Sequence, residues 1–159
     1  MNIDVITVGK IKEAYLRDAI SEYLKRLSKF ARVTVIEVKD EKTEENATDG
    51  EERNVKETEG KRILQKIGER DYVIALAING ETFTSEGMAE RLNRLFVKGE
   101  SRLTFVIGGS LGLSDEVLSR ANESWSFGKL TYPHQLMRVI LLEQLYRDFK
   151  ILNHEPYHK

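Results

Sequence analysis

The sequence predicts an α/β fold built on a mostly parallel sheet with helices on both faces. Three observations carry that prediction. Strand-like and helix-like stretches alternate along all 159 residues. Leu103-Thr-Phe-Val-Ile107, five strand-favouring residues without a charge, suits a strand buried on both sides in a parallel sheet. That strand runs straight into Gly108-Gly-Ser-Leu-Gly112, and a short helical pattern from Ser114 to Ala121 follows. Glycines at a strand's carboxyl end let a ligand approach the backbone, and ligands of open α/β sheets sit outside those ends. The break is the first candidate ligand site, although a tight strand-to-helix turn without a ligand would give the same pattern.

In chain order, Ile3–Val8 reads as a first strand stopped by Gly9. From Ile11 the residues Tyr15, Ala19, Tyr23, Leu27 and Phe30 recur at helical spacing. Val33–Val38 is a second strand. Asp40 to Asn54 is acidic and almost free of large apolar residues, which predicts a mobile loop before a helix over Val55–Ile67. Tyr72–Ile78 is a third strand, and Asn79-Gly80 signals a turn. Thr84 or Ser85 can cap a helix carrying Met88, Leu92, Leu95 and Phe96, with Gly99 past its end. Ser124–Phe127 is a short fifth strand, Gly128–Pro133 a loop, and His134 to about Leu152 a last helix. That helix is apolar around much of its circumference, as expected of one deeply buried or shared with a second subunit, and a homodimer is expected.

A chain of this length is expected to be one domain, residues 1–159. It has no cysteine, which excludes disulfides, thiolate metal sites and cysteine nucleophiles. Three histidines show no metal-site spacing, so no metal is expected. No apolar run reaches the ~20 residues of a membrane span, and no signal-peptide order opens the chain; the cytoplasm is the expected location. Formal net charge is −1, but Asp40–Gly60 holds nine acidic and three basic residues while the remainder holds 17 and 22. A moderately basic body could meet phosphate on one face, or simply present solvated surface. The glycine break matches neither G-x-G-x-x-G nor a phosphate loop with its lysine. Strand ends at Leu76–Gly80, Gly108–Gly112 and Phe127–Pro133 could together offer a heterocycle backbone groups and apolar walls. His134 reads most simply as a helix-start residue, and His154 and His158 as part of an exposed tail.

Gly108-Gly-Ser-Leu-Gly112, Ser126-Phe-Gly-Lys-Leu-Thr-Tyr-Pro-His-Gln-Leu-Met-Arg138, Glu143-Gln-Leu-Tyr-Arg147 and the final Tyr157-His-Lys159 together resemble the bacterial 23S rRNA pseudouridine-N3 methyltransferases of the SPOUT superfamily. The resemblance extends over the whole chain. It implies that the C-terminal part of the sheet is threaded into a deep trefoil knot, a topology no base rate would suggest. It also implies a homodimer and S-adenosylmethionine as methyl donor, bound bent among the knot loops. By position, Leu76, Gly108, Phe127, Gly128, Lys129, Leu130, Thr131 and Tyr132 would contact the donor. The acceptor would be N3 of a pseudouridine in 23S rRNA, on the assembled ribosome.

The implied reaction is direct displacement at a sulfonium, so the protein mainly aligns the reactants. The acceptor N3–H must lose its proton, and histidine ionises near neutral pH, which makes His158 the candidate base. Tyr157 would stack on or bond to the acceptor base, and Arg147 would hold phosphate or the tail. The chain departs from the family pattern at Tyr132 (commonly Phe), at Glu81 (commonly basic) and at Asn153-His154 (commonly Arg-Gly). Other readings are a non-catalytic ribosome-binding module of the same fold, a different nucleotide-using α/β enzyme, and a SPOUT enzyme for another RNA position.

Overall fold

The computed structural model describes residues 1–159. Ten elements follow in order: β1 (Asn2–Val8), α1 (Ala14–Leu27), β2 (Arg32–Val38), α2 (Asp49–Leu64), β3 (Tyr72–Thr82), α3 (Ser85–Val97), β4 (Arg102–Ile107), α4 (Asp115–Arg120), β5 (Glu123–Ser126) and α5 (His134–Leu152). The strands form one sheet of order β2-β1-β4-β3-β5, parallel at every pairing.

Alternation along each strand divides the core in two. Ile3 and Val5 of β1, with Leu103, Phe105 and Ile107 of β4, point to the face covered by α1, α3 and α5. Ile6, Val8, Val73 and Val106 point to the face covered by α2 and α4, where they meet Ile63 and Val117. Both sides of the sheet are therefore dry, which is why β4 reads as a nearly unbroken apolar run. Its one buried polar residue, Thr104, donates to Asp71. The last helix, α5, lies between α1 and α3, and its buried residues include Leu141, Leu142, Leu145 and Phe149.

Two expectations are corrected. The acidic stretch Asp40–Asn54 is not all loop, because α2 begins at Asp49. The Thr48 side chain accepts from Glu51 N at 3.1 Å and donates to the Glu51 carboxylate at 3.1 Å, and Asp49, Glu51 and Glu52 complement the helix dipole. The remainder of the stretch is tied down too, since Arg62 pairs with Glu41, and Glu59 accepts from Glu41 N at 3.0 Å. The second correction concerns Asn79-Gly80, which is no turn between elements. Strand β3 pairs with Trp125 of β5 twice, through Leu76 and again through Glu81, so the residues between them are thrown out of the ladder. Gly80 permits the return: a Cβ there would lie 2.7 Å from backbone atoms of Ser124 and Trp125.

Candidate functional site

The three strand ends meet in one cleft of about 580 Å³ at the carboxyl edge of the sheet. Its walls are the excursion of β3 (Leu76–Asn79), the break after β4 (Gly108–Leu113), and the loop between β5 and α5 with its flanks. Glycine is required where the loops touch. Gly112 (φ +91°) and Gly128 (φ +110°) occupy left-handed backbone, while a Cβ on Gly108 would lie 2.7 Å from the carbonyl carbon of Gly112. We expect Gly108→Ala to abolish donor-nucleoside binding, read by calorimetry, while the thermal midpoint shows whether the sheet survives; unchanged binding would contradict the packing described.

Of the eight residues expected at the donor, seven line this cleft: Leu76, Gly108, Phe127, Gly128, Leu130, Thr131 and Tyr132. Lys129 does not; its side chain is exposed outside the wall. Trp125, Met137 and His134 line it without having been expected there. Trp125 is 1% exposed and edge-on to both Phe83 and Phe105. His134 opens α5, and burial, then the nearby Arg138, hold its imidazole below its ordinary pKa and so favour the neutral form. Nothing in the sequence separates this histidine from a plain helix-start residue; only the folding of α5 against the loops does.

No Asp, Glu, Lys or Arg lines the cleft. It is a neutral, largely apolar slot with backbone amides and carbonyls at its rim. That chemistry suits an adenosine with an apolar-walled thioether or sulfonium arm, and offers no cationic partner to a triphosphate. A buried carboxylate lies just beneath it. Glu59 is 5% exposed, and its Oε1 lies 3.0 Å from the position a Cβ on Gly109 would take. Burial pushes that carboxyl above its usual range.

The other three expected residues gather at the far end of α5. Arg147 donates to Glu143 Oε1 from Nε (3.0 Å) and Nη2 (2.5 Å), and Tyr157 OH donates to the same oxygen at 3.0 Å. The Arg147 guanidinium lies 4.7 Å over the Tyr157 ring, and Tyr157 packs edge-on against Tyr146. Burial and Glu143 raise the Tyr157 phenol's pKa, so it stays protonated and a donor. His158 Nδ1 lies 3.1 Å from Arg147 Nη1, and Nε2 lies 2.8 Å from Glu86 Oε1. A guanidinium can only donate, so Nδ1 accepts and the hydrogen sits on Nε2, donating to Glu86. The tail is thus docked. It leaves α5 through His154, the one non-glycine residue with positive φ (55°), at a position where glycine relieves that strain. None of the trio lines the cleft of its own chain; Arg147 lies 13 residues along α5 from His134, ~20 Å at helical rise.

Residues 1–158 match the family described as "Predicted SPOUT methyltransferase". Over all 159 residues, and the full length of each relative, the chain is 61% identical to a protein of Bifidobacterium animalis subsp. lactis (strain AD011). It is 57% identical to one of Enterococcus faecalis (strain ATCC 700802 / V583) and 58% to one of Listeria monocytogenes serovar 1/2a (strain ATCC BAA-679 / EGD-e), again over full length. All three bear the name ribosomal RNA large subunit methyltransferase H.

Proposed function

The chain belongs to the SPOUT methyltransferase family and is an rRNA methyltransferase, and on that premise we propose that it moves the methyl group of S-adenosylmethionine to N3 of a pseudouridine in 23S rRNA on the assembled ribosome. The observation that carries this reading is the uncharged cleft closed by three glycine-bearing strand ends. The donor brings an activated methyl group when bound. The chain's part is to hold its adenosine against Leu76, Gly108 and the Phe127–Tyr132 loop, exclude water, and receive the acceptor proton.

His158 is the candidate for that last task. As docked, its Nδ1 lone pair is taken by Arg147, so it must leave Arg147 before accepting a proton. A homodimer belongs to the same reading, because none of the trio lines the cleft of its own chain. Antiparallel pairing of two copies along the outer face of α5 would bring one copy's tail to the other's cleft. Apolar side chains at the cleft mouth support such a contact: Ile78, Leu130, Tyr132 and Leu136 are exposed, Leu130 by 73%. A trefoil knot threaded among the three loops belongs to the same reading. No helix is long and apolar enough to cross a membrane, in keeping with a cytoplasmic enzyme that meets ribosomes.

The reading is tested by tritium transfer from labelled S-adenosylmethionine to ribosomes from cells lacking this protein, with the modified nucleotide mapped. Label at N3 of one 23S pseudouridine is the expected result. Donor binding without transfer would favour a non-catalytic module, and label elsewhere a different RNA position.

A further inference from the structure

The loop after β1 is the neighbour of the cleft without lining it. Thr7 pairs with Ile107, so Val8–Lys12 and Gly108–Gly112 leave the sheet side by side, about 5 Å apart at the ladder. Val8 Cγ1 lies 3.3 Å from the position of a Cβ on Gly109. For an exposed loop its backbone is held from many sides. Gly9 takes φ +85° and donates to Val38 O at 2.8 Å. Arg138, 1% exposed, donates through Nη2 to Val8 O and Gly9 O, and through Nη1 to Glu37 Oε2, each at 2.8 Å. Ile11 N donates to the same Glu37 oxygen at 3.3 Å. From the solvent side Arg17 donates to Ile11 O and Lys12 O at 3.2 and 3.0 Å.

Burying a guanidinium is costly, and every hydrogen bond this one makes is to the loop or to the carboxylate that also holds it. What the loop presents is Lys10 and Lys12, both exposed and in no ion pair, with Tyr15, 70% exposed, at the start of α1. Glu37 is paired with Arg138 and Glu41 with Arg62, while Glu13, Asp18 and Asp40 are exposed and in no ion pair beside Lys10, Lys12 and Arg17.

We propose that Gly9–Tyr15 is an RNA-contact surface. Lys10 and Lys12 take backbone phosphates beside the acceptor nucleotide, and Tyr15 stacks on an unpaired base. The proposal rests on the chain acting on rRNA. Lysine contacts to phosphate supply sequence-independent affinity, and unpaired bases stack on exposed aromatic rings. Arg138 stands one turn into α5 from His134 in the cleft wall, so the loop and the donor cleft share one anchor. RNA seated on the loop is thereby indexed to the donor. A chain of net charge −1 needs such a local source of affinity.

The test is equilibrium binding of the full-length protein to ribosomes lacking the modification, measured against salt, beside binding of S-adenosylhomocysteine. Lys10→Ala/Lys12→Ala is expected to raise the ribosome Kd about tenfold and flatten the log–log salt slope by about one to two, one for each phosphate no longer neutralised. S-adenosylhomocysteine binding stays unchanged, and Lys10→Arg/Lys12→Arg restores ribosome affinity. Tyr15→Ala weakens binding without altering the slope. Lys25→Ala/Lys29→Ala, at the other end of α1, stays near wild type. Wild-type affinity and slope in the double alanine variant would overturn the proposal, as would an equal loss in the Lys25/Lys29 control or parallel loss of S-adenosylhomocysteine binding. Because the readout is binding, a wild-type protein that held ribosomes through this loop without methylating them would overturn the activity reading and leave the surface standing.

Discussion

Truncation after Pro156 is expected to lower methyl transfer to ribosomes by about 100-fold or more while leaving donor binding within about twofold. The cut removes Tyr157 and His158 but none of the residues lining the cleft. It leaves Glu143 and Arg147 paired to each other on α5, so the helix keeps its own ion pair. His158→Ala should reproduce most of the loss, and Tyr157→Phe only part, since the ring and its packing against Tyr146 remain. Mixing the truncated chain with a Gly108→Ala chain asks whether the tail works across subunits. Recovery of transfer in the mixture is expected, because no tail residue lines the cleft of its own chain. Wild-type rates for the truncated protein would remove the tail from the mechanism.

The second large effect is on stability. Asp148, on α5, is fully buried, and neither carboxylate oxygen has a hydrogen-bond partner. Burial first, and then the charge of Glu143, pushes its pKa up to about 9. In the unfolded chain an aspartate ionises near 3.9. The folded state therefore holds a proton that the unfolded state releases, and stability is fullest below about pH 4 and is lost progressively as pH rises towards 9. Asp148→Asn keeps the shape and cannot ionise. It is expected to stabilise the protein by on the order of 3 kcal/mol at pH 7, with the gain vanishing near pH 4. Urea unfolding at several pH values measures this, and a gain independent of pH would show that the carboxyl is not the cause.

Asp148 also illustrates what a linear sequence hides. Its place in the Tyr146–Phe149 stretch says nothing of burial, which arises only when α5 packs between α1 and α3. Arg138 is similar: beside Met137 and Val139 it reads as one charge on an apolar helix, and its bonds to Val8 and Gly9 span about 130 residues. By contrast, β4 and its glycine break were legible because burial on both faces and close loop contact leave local marks, an uncharged run and residues without a Cβ. Asn79-Gly80 misled because a bulged ladder and a turn use the same residue types. The start of α2 was in reach, since Thr48 and Glu51 stand at capping-box spacing, but the acidic composition around them masked it. The residues proposed at the donor rest largely on resemblance, as no periodicity distinguishes Lys129, which faces solvent, from Leu130, which lines the cleft.

The most direct test is a titration of the protein with S-adenosylmethionine followed by amide chemical shifts and by the fluorescence of Trp125, the single tryptophan and part of the cleft wall. Saturable binding is predicted, with the largest shifts at Leu76, Gly108, Gly112, Gly128 and Thr131 and a matching change in Trp125 emission. Saturable binding that leaves those amides and Trp125 unmoved, or no binding at all, would contradict the assignment of the three strand ends to the methyl donor.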